Sequence, residues 1–236
     1  MDTHLHHDHI ERHLKSSDML RDIVIGMSDG LTVPFALAAG LSGAVSSSTI
    51  IVIAGIAEIC AGSIAMGLGG YLAGKTEQDH YNSEQKREYD EVENLRPKEL
   101  EETKEFFASI GLSPALQEQA TAEIAQDKHR WVNFMMKYEL GLEKPDPRRA
   151  TNSALNIGLS YVAGGIIPLS PYFFISNATE ALEISVVATL ICLFVFGYFK
   201  SRITGVNPWM GAIKVTLIGA VAAAAAFGVA KLIDGK

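Results

Sequence analysis

Apolar residues gather in five runs, at 23–45, 50–74, 150–169, 181–199 and 209–233. About 20 apolar residues cover the roughly 30 Å of a bilayer's hydrocarbon core, so each run is long enough to cross one. Backbone groups in hydrocarbon must pair within their own segment, so each run predicts a helix. The expected fold class is all-α, an integral membrane protein with five transmembrane helices. Between the second and third runs the pattern turns densely charged, and it reads as a three-helix insert. One helix continues from the second span through about Asn94. Pro97 opens the next, which ends at Gly111. Ser113 as N-cap and Pro114 in the first turn open the third. Gly141, Pro145 and Pro147 punctuate the return to apolar sequence. The chain thus divides into a polar, His-rich tail (1–21), spans one and two (22–75), an acidic domain (76–147) and spans three to five (148–236). No internal repeat is evident.

The mean hydropathy is only +0.16, because the 236 residues mix two compositions. Residues 76–147 hold 17 acids and 9 bases, a net charge of −8; the rest holds 10 acids and 11 bases, a net of +1. The whole net charge of −7 therefore sits in the acidic domain. Such asymmetry points to a cationic partner and away from nucleic acid, which needs a basic footprint. Cys60 and Cys192 lie in apolar runs and give neither a disulfide framework nor a zinc spacing. The N-terminus lacks the basic and short apolar regions of a signal peptide.

Lys and Arg set the expected direction. Arg12, Lys15 and Arg21 precede the first span; Lys75, Lys86 and Arg87 follow the second; Arg148 and Arg149 precede the third; Lys200 and Arg202 follow the fourth. The links at 46–49 and 170–180 carry no base. The N-terminus and acidic domain are therefore expected in the cytosol and the C-terminus outside or in a lumen, with Lys231 and Lys236 in weak dissent. A bacterial inner membrane and a vacuolar membrane both suit this arrangement.

Asp29, Glu58, Glu183 and Lys214 are the charges within the runs, the last two near segment ends. An ionisable group near the bilayer centre costs at least about 2.5 kcal/mol, so it marks a candidate functional site. At about 1.5 Å per residue, Asp29 lies about 10 Å beyond Asp22, and Met66 about 13 Å before Lys75. Asp29 and Met66 are thus expected at one level, with Glu58 about 12 Å further out. Asp18, Asp22 and Asp29 fall near one helix face that leads inward. Pro34 removes a donor to the Gly30 carbonyl and is expected to kink the first span. Gly26 with Gly30, and Gly70 with Gly74, favour close helix contact. Carboxylates with a thioether suit a divalent transition metal better than magnesium or calcium. A desolvated carboxylate holds a proton until a metal displaces it, a route to metal–proton exchange. Each group also has a plainer reading: Asp29 as a cap or structural hydrogen-bond partner, Glu58 as a structural acid, Met66 as a core or lipid-facing side chain.

In the acidic domain Glu88 and Glu91 are three apart, as are Glu99 and Glu102. Two such pairs on neighbouring helices can converge on cations. Met135, Met136 and Glu139 fall on one helix face and add thioether to carboxylate. The plainer reading is a solvated charged surface, expected of Glu84, Asp90, Glu93, Glu101 and Glu105. His4, His6, His7, His9 and His13 are as consistent with a polar tail as with loose metal binding.

Asp29 lies in Ser28-Asp29-Gly30-Leu31-Thr32-Val33-Pro34-Phe35-Ala36, Glu58 follows Ala57, and Met66 lies in 63–72, Ser-Ile-Ala-Met-Gly-Leu-Gly-Gly-Tyr-Leu. Over nearly the whole chain these motifs strongly resemble the vacuolar iron transporter family of yeast and plant vacuoles and bacteria. The resemblance implies a homodimer that exchanges iron(II), manganese(II) or other divalent metals for protons, with a path along the dimer interface between the first two spans. It implies Asp29 and Met66 as constriction residues and Glu58 as a second intramembrane acid. It also implies Glu88, Glu91, Glu99, Glu102 and Glu139 as metal-binding glutamates, with Met135 and Met136 as a thioether pair. No prosthetic group and no enzymatic activity are implied. The expected route runs from the acidic domain past Asp18 and Asp22 to Asp29 and Met66, then to Glu58. The alternatives are a membrane-anchored iron-binding or ferroxidase protein, and a passive metal channel.

Overall fold

The computed structural model describes residues 16–234. Arg12, Lys15, Lys236 and the five histidines of the tail lie outside the described residues. Eight helices form among those described: α1 (Ser16–Ala44), α2 (Ser48–Asn94), α3 (Arg96–Ser109), α4 (Pro114–Ile124), α5 (Lys128–Tyr138), α6 (Arg149–Phe174), α7 (Ala178–Ile203) and α8 (Pro208–Asp234). Five of them, α1, α2, α6, α7 and α8, are long and apolar enough to cross a membrane. The chain is an all-helical integral membrane protein.

Helix ends follow local chemistry. Neither Gly nor Pro interrupts the chain between Gly74 and Asn94, so α2 runs 47 residues and ends at Asn94. Asn177 caps α7 by accepting from the amides of Thr179 and Glu180. α1 continues through Pro34 as one helix. The acidic domain departs from expectation at its third helix, which is broken in two at 125–127. The break is chemical: the Asp127 carboxylate accepts from the Arg130 amide at 2.9 Å and caps α5, an alternative to continuing α4.

The chain forms two compact units, one of residues 1–71 with 151–236, the other Leu72–Ala150. In the first, Ala38, Ile51, Leu169, Tyr172 and Ala181 form a core shared by α1, α2, α6 and α7. Phe35 and Ala39 of α1 meet Ala223 of α8, with Leu182 and Phe227 packed alongside. A Cβ on Gly26 would strike the Ile157 carbonyl, and one on Gly30 the Tyr161 carbonyl, so α1 lies against the α6 backbone. In the second unit Trp131, Val132, Met135 and Met136 are fully buried with Tyr81 and Val92.

The membrane unit contains an internal repeat that the sequence hides. α1 ends at Ala44 and α6 at Phe174; α2 begins at Ser48 and α7 at Ala178, in both cases 130 residues apart. The two links pair with each other. Ser47 forms an antiparallel bridge with Asn177, the Ser48 amide donates to the Ser176 carbonyl and the Ala178 amide to the Ser46 carbonyl, both at 3.3 Å. Ser42 and Tyr172, also 130 apart, share a hydrogen bond of 3.0 Å. Burial repeats as well. Ala178, Ala181, Ser185, Thr189 and Gly197 are buried on α7, as are Ser48, Ile51, Gly55, Ile59 and Gly67 on α2. Leu31, Pro34, Phe35, Ala38 and Ala39 match Tyr161, Gly164, Gly165, Pro168 and Leu169, all buried. The hairpin α1–α2 and the hairpin α6–α7 are thus two versions of one unit, related by an approximate two-fold through their links. The absence of an evident repeat is corrected on this point: matched burial needs only apolar residues of suitable size, so the residue identities diverge freely.

Candidate functional site

Two groups of acids can take a cation. The first lies within the membrane unit. Asp29 on α1 and Glu58 and Met66 on α2 are each half-buried. The Tyr161 hydroxyl of α6 donates a short hydrogen bond to Oε1 of Glu58. Asp29 precedes Gly30, whose added Cβ would strike the Tyr161 carbonyl. The other carboxylate oxygen of Glu58, Oε2, is buried without a hydrogen-bond partner. Gly62, one turn beyond Glu58, makes room for the phenol, because a Cβ there would meet the Tyr161 ring. Among the described residues, Glu58 is also the one charged residue lining a groove of about 930 Å³, otherwise walled by α1 and α8 residues such as Val33, Leu37, Ala226 and Val229. Met66 lies two turns further along α2. Asp22 is buried, whereas Asp18 is exposed and pairs with Arg21 at 3.5 Å.

Tyr161 is the residue that sequence reasoning missed here. A tyrosine in an apolar run reads as a large hydrophobe, and only the convergence of three helices brings it to Glu58.

The second group lies in the other unit. One carboxylate oxygen each from Glu88, Glu91 and Glu99 lie within 4.8 Å of one another. Glu88 on α2 and Glu99 on α3 are only 2% and 1% exposed. Each keeps one oxygen buried without a partner, Oε2 of Glu88 and Oε1 of Glu99. Burial first, then Glu139 and Glu91, pushes the Glu88 carboxyl up to about 7. Burial first, then Glu102 and Glu88, pushes Glu99 up to about 7. Glu139 caps the end of α5 and is more open; desolvation and then Glu102 raise its carboxyl too. Glu91 lies 3.8 Å from Arg87 and Glu102 2.8 Å from Lys98, so both have cationic company. The five expected glutamates therefore form one electrostatic group, with Glu88, Glu91 and Glu99 at its tightest point. A cation there would satisfy the orphaned oxygens and relieve the mutual repulsion.

Met135 and Met136 are fully buried in the core around Trp131. The Met135 sulfur lies 3.3 Å from the Thr103 hydroxyl, which donates to it or to the Glu99 carbonyl at 2.7 Å and accepts from Trp131 Nε1 at 2.8 Å. Thr103 and Trp131 carry no sequence signal for this role, since their contact joins residues 28 apart in the chain. Of the acids expected to be solvated, Asp90, Glu93, Glu101 and Glu105 are exposed, and Glu84 is half-buried against Arg87.

Comparison with known proteins settles the relationship. The model of the VIT family matches residues 20–231. The chain belongs to the VIT family. Its relatives include "Vacuolar iron transporter 1" of Tulipa gesneriana, 52% identical over 96% of this chain and 92% of the relative. The rice protein of the same name is 51% identical over 99% of this chain and 93% of its own length. "Protein CCC1" of Saccharomyces cerevisiae is 36% identical over 91% of this chain and 69% of its own length. As a VIT-family chain it carries acids at both candidate sites and pairs Tyr161 with one of them.

Proposed function

We propose that this chain is a transporter rather than an enzyme, moving a divalent transition metal, iron(II) or manganese(II), out of the cytosol in exchange for protons. The acidic unit collects the metal through Glu88, Glu91, Glu99, Glu102 and Glu139, with Met135 and Met136 as softer donors. Asp18, Asp22, Asp29, Met66 and Glu58 form the path across the membrane. The single observation that carries this reading is Glu58 inside an apolar unit, held through one oxygen by Tyr161 and with its other oxygen buried without a partner, in a chain about half identical to plant vacuolar iron transporters. Buried carboxyls that hold protons until a cation arrives offer the exchange chemistry. Basic flanks on alternate links support a cytosolic N-terminus and acidic unit, with the C-terminus outside or in a lumen. The working form is a homodimer in a bacterial inner membrane or a vacuolar membrane, with no prosthetic group.

Proteoliposomes loaded with a pH-sensitive dye test this directly. Iron(II) or manganese(II), but not calcium(II), is expected to drive proton movement, and Asp29→Ala to abolish it. An Asp29→Ala protein that transports normally sinks the path. Metal binding without flux turns the reading to a membrane-anchored binding protein, and flux indifferent to the proton gradient turns it to a passive channel.

A further inference from the structure

The internal repeat serves as a control experiment within one chain. Shifted by 130 residues, Tyr161 falls on Leu31 and Glu58 falls on Ala188. Leu31 and Tyr161 are buried alike, at 1% and 2% exposure. The same hairpin packing therefore forms once with a tyrosine–glutamate pair and once with leucine and alanine. Asp29 and Met66 likewise fall on Leu159 and Phe196. The fold needs bulk at the place of Tyr161 but has no need of its hydroxyl. Burying a carboxylate in a membrane unit is costly, so the pair persists for something other than packing.

The geometry says what that is. One oxygen of Glu58 is taken by the Tyr161 hydroxyl, and the other is buried with no partner. A carboxylate on a flexible three-bond stem has many rotamers, and a fixed donor on one oxygen selects among them. Gly62 and Gly30 admit Tyr161 to α2 and α1, since a Cβ at either place would collide with it. Asp29 directly precedes Gly30, whose added Cβ would strike the Tyr161 carbonyl, so the backbone of α1 carries this second acid alongside the same residue.

We propose that Tyr161 is a positioning residue of the transport path, contributed by the second hairpin: its hydroxyl holds one oxygen of Glu58 so that the other is kept for the divalent cation. The proposal rests on the transport reading above and extends it to a residue on α6. Tyr161 acts through Glu58 and does not itself bind the cargo.

Two measurements on the full chain test it. In proteoliposomes, Tyr161→Phe keeps the ring and is expected to slow manganese-driven proton movement about tenfold, the lower end of what loss of an orienting partner costs. Tyr161→Leu, which borrows the residue of the first hairpin, is expected to fold and to be equally slow. Glu58→Gln with Tyr161→Phe is expected to be no slower than Glu58→Gln alone, because the carboxylate that the hydroxyl positions is gone. Wild-type flux in Tyr161→Phe, or a double variant slower than Glu58→Gln by the full tenfold, overturns the proposal. Binding is read separately in detergent, by paramagnetic resonance of manganese(II), in a background of Glu88→Gln and Glu99→Gln that removes the other cluster. Tyr161→Phe is expected to weaken the remaining site about tenfold. Unchanged affinity there overturns the proposal whether or not the protein carries flux. Weakened affinity in a protein that carries no flux keeps Tyr161 as the positioning residue of a cation site at Glu58 and overturns the transport reading.

Discussion

Glu88 and Glu99 each bury a carboxyl beside the charges of its neighbours, and each is held near 7 against an ordinary value of 4.5. Raised carboxyls bind protons more tightly in the folded than in the unfolded chain. Their contribution to stability is therefore complete below about 4.5 and lost as pH rises through 7. In chelator, the acidic unit is expected to melt progressively lower from pH 5 to pH 8, by several degrees in total. Trp131 fluorescence in a Trp209→Phe background follows it, as these are the two tryptophans. Glu99→Gln removes one of the titrations and is expected to flatten that slope while weakening manganese(II) binding to the unit at least tenfold. A flat pH profile in the wild type would contradict the burial that raises these groups. Thr103→Val tests the same core from its neutral side. It strands the buried Trp131 N–H, which now meets the Thr103 oxygen at 2.8 Å. An orphaned buried donor costs about 1–3 kcal/mol, so a drop of several degrees is expected at every pH.

At the scale of helices, what matters is where a glycine meets backbone and where it meets a side chain. A methyl on Gly30 collides with the Tyr161 carbonyl, which cannot move without its helix, whereas one on Gly62 collides with the end of the Tyr161 ring, which can swing aside. Gly30→Ala is accordingly expected to lower the yield of folded protein in detergent, read by size-exclusion chromatography. Gly62→Ala is expected to fold and yet slow transport about tenfold, as Tyr161→Phe does, since the displaced hydroxyl no longer reaches Glu58. Equal yields for both variants would show that α1 does not pack as closely on α6 as described. The same helices show how far the sequence could be read. The five apolar runs, the end of α2 at Asn94 and the start of α4 at Pro114 were legible, because length, composition and proline act locally. The gap between α4 and α5 was not, although Asp127 is a good cap, because the same residue suits an exposed helix surface. Glu88 and Glu99 could be paired by spacing, but their burial, which separates them from an ordinary charged surface, depends on how α2 and α3 meet. Tyr161 was illegible for the same reason.

Across the membrane unit, the two hairpins are joined at both levels of their shared symmetry. The links clasp through the Ser47–Asn177 bridge, and deeper down α1 lies on α6 through Gly26, Gly30 and Gly164, whose added Cβ atoms would all strike backbone of the facing helix. Packed interfaces of this kind have discrete arrangements and do not slide continuously. The hairpins α1–α2 and α6–α7 are therefore expected to move as one body, so that Tyr161 never leaves Glu58 during a cycle. A disulfide across the bridge tests this. Ser47→Cys with Asn177→Cys, in a chain whose Cys60 and Cys192 are replaced by serine, places two thiols on directly opposed residues, a geometry that strand-like pairing makes compatible with a bond. Oxidation is expected to cross-link the protein within one chain, to raise its melting temperature by a few degrees, and to leave metal-driven proton movement at half the reduced rate or better. Flux that stops on oxidation and returns with a reductant would mean that the hairpins part at their links during transport. The symmetric clasp would then be a gate, and the hydrogen bond from Tyr161 to Glu58 one that is broken and remade in each turnover.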